Sequence, residues 1–380
     1  MTGMNLVQSR RRPETRGSTG LSEAVVDLSA IRDNVGTFRK RVPQPVLAVV
    51  KADAFGHGAV PVARAAVKAG ATWLGVARAD EALQLRAAGL AVPVLTWLYD
   101  ATELVLLGDM DVDVSVSTVA ELQHVVANPT VHYVHLKLDT GLHRSGSAPD
   151  QWIELTRTAA HYEALGAVTV RGIWSHLSHG DSADAVQSTR QLQLLRTGVS
   201  LARRAGLRPS VVHLTNSAGV LTLDAPDTDL ARIGAGLYGI DELGIGLRPA
   251  MRLVSKLTQV RRIRAGEGVS YGHDFVADRD TTIGLVPLGY ADGVPRVAAG
   301  RASVQCQGVR MPIIGRIAMD QFVVDAGDRA VEPGAPVTIF GAGSGEPTAA
   351  EWADWAGTIP HEIYCGIGSR VPRRYEESER

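Results

Sequence analysis

Between residues 46 and 240, short apolar runs alternate with segments whose apolar positions recur at helical spacing. The runs at 46–50, 73–76, 92–97, 112–116, 131–138, 168–174, 210–214 and 231–238 read as strands. The segments 62–69, 82–88, 119–126, 152–165 and 187–205 carry apolar residues three and four apart, as amphipathic helices do. The stretch 111–116 also alternates apolar with polar, which makes it the weaker strand. Strict alternation of strand and helix implies a parallel sheet. About eight such units in roughly 200 residues predict a closed (β/α)8 barrel. Near residue 245 the pattern changes. Short β-like runs at 253–263, 281–288, 302–306, 310–314, 322–324 and 337–340 are separated by Gly, Pro and Asp clusters, with one helical patch at 348–356. The chain is therefore expected to be α/β: a tail over 1–20, a barrel over 21–245 and a mostly-β domain over 246–380.

The composition fits such a chain. At 380 residues it is long enough for two domains, and 45% hydrophobic residues are too many for a disordered polymer. A formal net charge of -1 provides no bulk field for nucleic acid or a membrane surface. No apolar run approaches the roughly 20 residues that span a bilayer. The first 20 residues carry Arg10, Arg11, Arg12 and Arg16 without an apolar segment, so a disordered tail is expected rather than a secretory signal. Cys306 and Cys365 make neither a disulfide framework nor a Cys-rich metal site, and a reducing cytoplasm is the expected location. Only Lys40, Lys51, Lys68, Lys137 and Lys256 are lysines among 39 basic residues. Codon bias accounts for the scarcity but not for where the survivors sit.

In a barrel, chemistry gathers just past the C-terminal ends of the strands. Lys51 follows the first run directly. Burial there disfavours its charged form and makes it nucleophilic, as a Schiff-base lysine must be. For an isolated strand-end lysine, snorkelling to solvent is the commoner role. Lys137 ends the fifth run and shares its loop with Asp139 and Arg144, where a charge network is the plainer reading. His176, His179 and Asp181 follow the sixth run, but no third ligand cluster accompanies them, so no metal is expected. After the seventh and eighth runs, Ser217 and the backbone around Gly234 suit a phosphate cradle. A phosphate cradle together with a strand-end lysine suggests a phosphorylated carbonyl cofactor, and pyridoxal 5'-phosphate fits. Arg232, inside the barrel, stays protonated at any working pH. Facing the pyridine nitrogen, it would keep that nitrogen unprotonated and weaken the electron sink. That suits brief loss of one proton rather than decarboxylation or elimination. In the second domain, Tyr271 is a candidate proton-transfer group.

Five separated motifs, in order, carry a resemblance to the bacterial alanine racemases over about residues 23–375. They are AVVKADAFGHG at 48–58, VSYG at 269–272, GYADG at 289–293, GRIAMDQ at 315–321 and RVPR at 370–373. The resemblance implies a pyridoxal-phosphate enzyme that interconverts L- and D-alanine with two bases, one on each face of the substrate. Lys51 would hold the cofactor covalently and serve as one base. Tyr271 would be the other, reaching the site from a partner subunit, so a homodimer with shared sites is implied. Arg232 would face the pyridine nitrogen and His176 would join the Tyr271–Arg232 network. Arg144 would bind the cofactor's phenolic oxygen and the substrate carboxylate. Lys137 matches a lysine often carbamylated in the family. Ser217 and Gly234 would bind phosphate, Met319 would place its backbone N–H on the substrate carboxylate, Asp320 would support the site, and Tyr290 would line the entry.

The chain departs from the family pattern at several points. Phe55 replaces the tyrosine of the lysine motif. His361 stands where a phosphate-contacting tyrosine that crowds the substrate side chain is usual. Ile233 replaces a proline, and Ala318 a common cysteine. None removes a catalytic group. His361 offers a hydrogen bond and more room, so serine or another small polar amino acid is a second expected substrate. The rival readings are another reaction on the same cofactor, a non-catalytic cofactor carrier, and a metal-dependent barrel enzyme.

Overall fold

A computed structural model describes residues 20–180 and 185–377. Residues 1–19 of the expected tail over 1–20, and Asp181, lie outside the described residues.

Eight short strands form an all-parallel sheet: Val46–Val49, Ala71–Arg78, Val94–Leu98, Asp113–Val116, Tyr133–Lys137, Thr169–Trp174, Val211–His213 and Ala231–Ile233. Each pairs with its sequence neighbour from the first to the seventh, and the eighth returns to pair with the first. The seam between the seventh and eighth strands is held by Asp229. Its backbone N–H donates to Val212 O at 2.7 Å, and its carboxylate accepts from Val212 N at 2.7 Å. The sheet is thus a (β/α)8 barrel. Its strands are near-continuous apolar runs because helices cover their outer face. Two of those helices, Val119–Val126 and Trp152–Ala164, lie where the apolar spacing put them.

The last strand is shorter than its apolar run. It stops at Ile233, and Ala235–Tyr238 forms a 3₁₀ turn instead. The reason is local: the Gly234 and Gly236 N–H groups turn away from the ladder and donate to Ser217 Oγ at 2.9 and 3.0 Å. The site is built by that turn.

The second sheet is mostly antiparallel and has nine strands. In spatial order they are Gln259–Ile263, Thr281–Val286, Phe322–Gly327, Val309–Ile314, Ser303–Cys306, Pro336–Phe340, Met251–Lys256, Glu23–Asp27 and Arg373–Glu376. Two differences from the expected layout stand out. The apolar run 253–263 is two strands, which lie far apart in the sheet because the chain turns at Leu257 and Thr258. Glu23–Asp27, from the stretch expected to belong to the barrel, pairs instead with Met251–Lys256 and Arg373–Glu376. A five-residue apolar strand does not say which sheet it joins; long-range pairing decides that. The helical patch begins where its chemistry says it should: Thr348 caps Ala349–Ala356, accepting from Glu351 N, while Glu351 accepts from Thr348 N.

Candidate functional site

Lys51 follows the first barrel strand, and what comes next is unusual backbone. Ala52, Asp53, Ala54 and Phe55 all have φ between 51° and 53°, a left-handed turn of four non-glycine residues. At about 1–2 kcal/mol each, such a turn stores roughly 4–8 kcal/mol of strain. Specific contacts hold it. Ala52 N donates to Glu81 Oε1 at 2.6 Å, and Asp53 Oδ1 accepts from Ala59 N at 2.7 Å. His57 Nδ1 meets Ala54 O at 3.0 Å and Phe55 O at 2.9 Å. Two carbonyls at Nδ1 fix the proton there. Nε2 of this fully buried ring has no hydrogen-bond partner among the described residues. Burial pushes the His57 pKa down to about 4. Arg373, from the last motif, donates to Gly56 O at 2.9 Å and to the carbonyls of Ile367, Gly368 and Val371. A side chain at Gly56 would put Cβ 2.4 Å from Tyr364 O, so the C-terminal segment packs directly on the turn. The strain sits next to Lys51, and strained backbone tends to be kept at functional sites. Nothing in the apolar pattern announces a left-handed turn; the GHG glycines were the only signal.

Lys51 itself is partly buried, with Nζ 5.9 Å from the Trp97 ring. Burial lowers its pKa, and the Arg144 charge lowers it further. Lys137 is buried at the end of the fifth strand, 4.3 Å over the Trp174 ring, with Nζ donating to Ser145 Oγ at 2.5 Å. Burial, then Arg144 and Arg232, push its pKa down to about 8. Arg144 is exposed on the following loop, which Asp139 shapes by accepting from Gly141, Leu142 and His143 N–H groups.

Arg232 lies buried in the barrel. Its Nη1 donates to His213 Nδ1 at 3.1 Å, and Nη2 donates to Ser175 O, His176 Nδ1 and Leu214 O at 2.9, 3.2 and 2.8 Å. The two Nη2 hydrogens are shared among three acceptors, one Nη1 hydrogen goes to His213, and no carboxylate touches the group among the described residues. Burial lowers its pKa to about 9. His176 must accept at Nδ1, so its proton sits on Nε2. Burial, reinforced by the Arg232 charge, keeps the His176 ring neutral by pushing its pKa far down. His179 instead bonds Ser178 Oγ, and the described residues hold no group of three or more metal-ligating side chains.

Ser217 Oγ accepts from two backbone N–H groups, which frees its own hydrogen for an anion. An added Cβ at Gly234 would touch nothing closer than Phe55 and Val49 at 3.8 Å. Phe55 stacks on Tyr238 at 4.5 Å and tilts against His361 at 5.5 Å. Two of the four departures from the family pattern, Phe55 and His361, are therefore neighbours. At one barrel mouth, then, the fold gathers Lys51, Lys137, Arg144, His176, Ser217, Arg232 and Gly234, with His361 beside Phe55.

Tyr271, Tyr290, Met319 and Asp320 occupy a second surface. Tyr271 sits at the tip of the hairpin Gly268–Val269 and Phe275–Val276 and is 71% exposed. Ser270, at φ 62°, bonds Arg316 O at 2.7 Å, and Arg316 grips Asp274 through two bonds. An open groove of about 600 Å³ runs beside the tyrosine. The two neighbouring motif loops interlock through backbone: Tyr290 N donates to Ala318 O at 3.1 Å and Ala291 N to Met319 O at 3.0 Å. Arg370 Nη2 donates to Asp320 Oδ1 at 2.7 Å, and its Nε lies 3.2 Å from Asp292 Oδ1. No hydrogen bond, ion pair or ring contact among the described residues joins Tyr271 to Lys51.

The comparisons with known proteins agree with this layout. Residues 26–242 match the model of the alanine racemase N-terminal domain, and 250–375 match that of the C-terminal domain. The chain belongs to the alanine racemase family. It is therefore related to enzymes that are isomerases. An alanine racemase of Salinispora tropica is 46% identical over 93% of this chain and 98% of its own. One from Thermobifida fusca is 45% identical over 94% and 98%. The crystal structure of alanine racemase from the D-cycloserine producing Streptomyces lavendulae superposes with a TM-score of 0.91 at 43% identity, covering 95% of this chain and 98% of that one. The family's members act on small amino acids, and no helix of the described residues is long and apolar enough to cross a membrane.

Proposed function

We propose that this chain interconverts L- and D-alanine with pyridoxal 5'-phosphate, as a homodimer whose sites are shared. The observation that carries the reading is the barrel mouth: a lysine with lowered pKa, a buried arginine without a carboxylate, and a serine backed by two N–H groups. The residues suit the cofactor. Ser217 and the Gly234 turn offer donors and open space for a phosphate. Arg232 has an N–H to spare for a ring acceptor, and a permanent donor there disfavours a protonated ring. When bound, the cofactor supplies the electron sink that acidifies the substrate's α-hydrogen.

The chain's own residues do the rest. Lys51 would hold the cofactor's aldehyde and, being readily neutral, accept or return a proton on one face. Tyr271 of a partner subunit would serve the other face; 71% exposure and the lack of any bond to its own Lys51 among the described residues fit a residue used across an interface. His176, neutral with its proton on Nε2, would orient that tyrosine while bonded to Arg232. Arg144 would take the substrate carboxylate. Lys137, with its pKa pushed down to about 8, would be neutral often enough to add carbon dioxide, lose a proton and form a carbamate that steadies Arg144. Met319 N–H and Asp320 would complete the carboxylate end, and Tyr290 would line the approach. The barrel and β domains, divided near residue 245, would each carry half of the machinery.

The test is α-hydrogen exchange in deuterated buffer with L-alanine and, separately, L-serine, followed by chiral analysis. Exchange with racemisation of alanine is expected. Bound cofactor with no exchange of either amino acid would sink the reading. Carbon dioxide or ammonia among the products would point to a different reaction at the same site.

A further inference from the structure

Three buried polar side chains beneath the mouth have no part in the chemistry above. Asp113, His135 and His213 are each 0–1% exposed inside the barrel. They form one line with Arg232, and its hydrogens can be assigned without ambiguity. A guanidinium only donates. So His213 accepts at Nδ1 from Arg232 Nη1 at 3.1 Å, and its proton is on Nε2. That N–H points at His135 Nδ1, 3.0 Å away, which must accept. The His135 proton is then on Nε2, 3.1 Å from Asp113 Oδ2. Every bond in the line donates away from Arg232 and ends on a carboxylate. The reverse order would require His213 to accept at both nitrogens, an imidazolate that burial forbids.

The surroundings hold this arrangement. Arg171 Nη1 lies 3.0 and 3.1 Å from the two Asp113 oxygens, and its guanidinium sits 3.1 Å over the Tyr133 ring. Trp174 stacks on His213 at 5.5 Å with the planes 8° apart, and Trp73 meets His135 edge-on at 5.6 Å. Asp113 opens the fourth barrel strand, so the line runs from the N-terminal end of the barrel up to the mouth.

We propose that Asp113 and His135 are positioning residues that act through His213: together they make Arg232 a one-way donor and give its buried charge a remote carboxylate partner. The argument rests on the functional reading only in what Arg232 faces. The tautomers follow from the geometry alone. A line with fixed polarity keeps Arg232 from rotating to satisfy its N–H groups elsewhere, so the hydrogen aimed at the cofactor ring stays aimed there. Without Asp113, His135 is free to carry its proton on Nδ1, and two N–H groups would then meet between the histidines.

The experiment is a long-range ¹H–¹⁵N spectrum of the histidine-labelled holoenzyme, alongside steady-state racemisation of alanine. His135 and His213 should both carry their proton on Nε2, as should His176, and His213, whose pKa burial pushes well down, should not titrate over roughly pH 5–8, the range of an ordinary histidine. A proton on Nδ1 of either His135 or His213 in the unmutated enzyme would overturn the proposal, and that measurement needs no variant. In Asp113→Asn, the His135 signal should change and kcat should fall by about 10- to 100-fold, the usual cost of losing a partner that orients a histidine, with less change in KM. His135→Phe, which keeps a ring between Trp73 and His213, should lower kcat similarly. Variants that melt earlier but keep kcat and the His213 signal would show a merely structural role and end the proposal. The unmutated enzyme separates the two readings: it must exchange the alanine α-hydrogen whatever its tautomers are.

Discussion

The barrel mouth and the Tyr271 face are both motif-bearing, yet they are built in opposite ways. The mouth is deep, cationic and tied to side chains: burial lowers the pKa of Lys51, Lys137 and Arg232 together. The Tyr271 face is shallow and shaped by backbone, with loops locked through Gly289, Ala318 and Met319. A buried site can tune charge by desolvation. An exposed one cannot, so it gains its chemistry only when something covers it. The contrast is what the proposed sharing of sites between subunits requires: a tuned half on one chain and an uncovered half for its partner.

The sharpest way to break that comparison is complementation. Lys51→Ala and Tyr271→Phe should each lose at least about 10²-fold in racemisation, the scale of a missing acid–base group. Mixed and reassembled in equal amounts, they should regain about a quarter of unmutated activity, because half the dimers would be mixed and each would hold one intact site. No recovery in dimers shown to have exchanged subunits would mean that both groups act within one chain.

The backbone locking of the exposed face is tested by Gly289→Ala. The added Cβ would lie 2.3 Å from Ala318 O and Met319 O. The loops must separate, so a loss of about 1–3 kcal/mol in stability is expected by chemical denaturation, with KM for the amino acid raised. An unchanged midpoint and KM would show that the interlock has no role.

The left-handed turn at the mouth is tested by acid. His57 has a folded pKa of about 4 against 6.5 for the free side chain. The unfolded chain therefore takes up a proton first as pH falls. Stability from this group is complete above about pH 6.5 and is lost progressively down to about pH 4. That loss is on the order of 3 kcal/mol. His57→Asn, which keeps a donor near the Nδ1 position, should flatten the slope of unfolding free energy against pH in that window. An identical slope would assign the acid lability to other groups, such as His213, whose pKa burial also pushes down.

The smallest effect is expected where the second domain touches the mouth. Phe55 and His361 are neighbours, so their departures from the family motifs act on one spot. His361→Tyr should lower the ratio of serine to alanine turnover by about 5-fold, or about 1 kcal/mol, the low end of what a methylene-sized change in room is worth. A ratio that stays constant would remove His361 as a determinant of substrate choice.

Much of this molecule was legible along the chain. Alternating apolar runs and helical spacings determined the barrel, and the change near residue 245 determined the second, mostly-β region, because burial on two faces and on one face leave different periodicities. The five motifs marked Lys51, Tyr271 and their companions. Pairing across long distances was not legible. Glu23–Asp27 joined the second sheet, the run 253–263 split in two, and the eighth strand stopped early, since a short apolar strand does not name its partner. Nor did Asp113 and His135 stand out, each a lone polar residue within a strand. Only the tertiary structure aligned them beneath Arg232, strained the turn after Lys51 and left Tyr271 exposed, because hydrogen-bond direction and burial are properties of the packed chain and not of any segment of it.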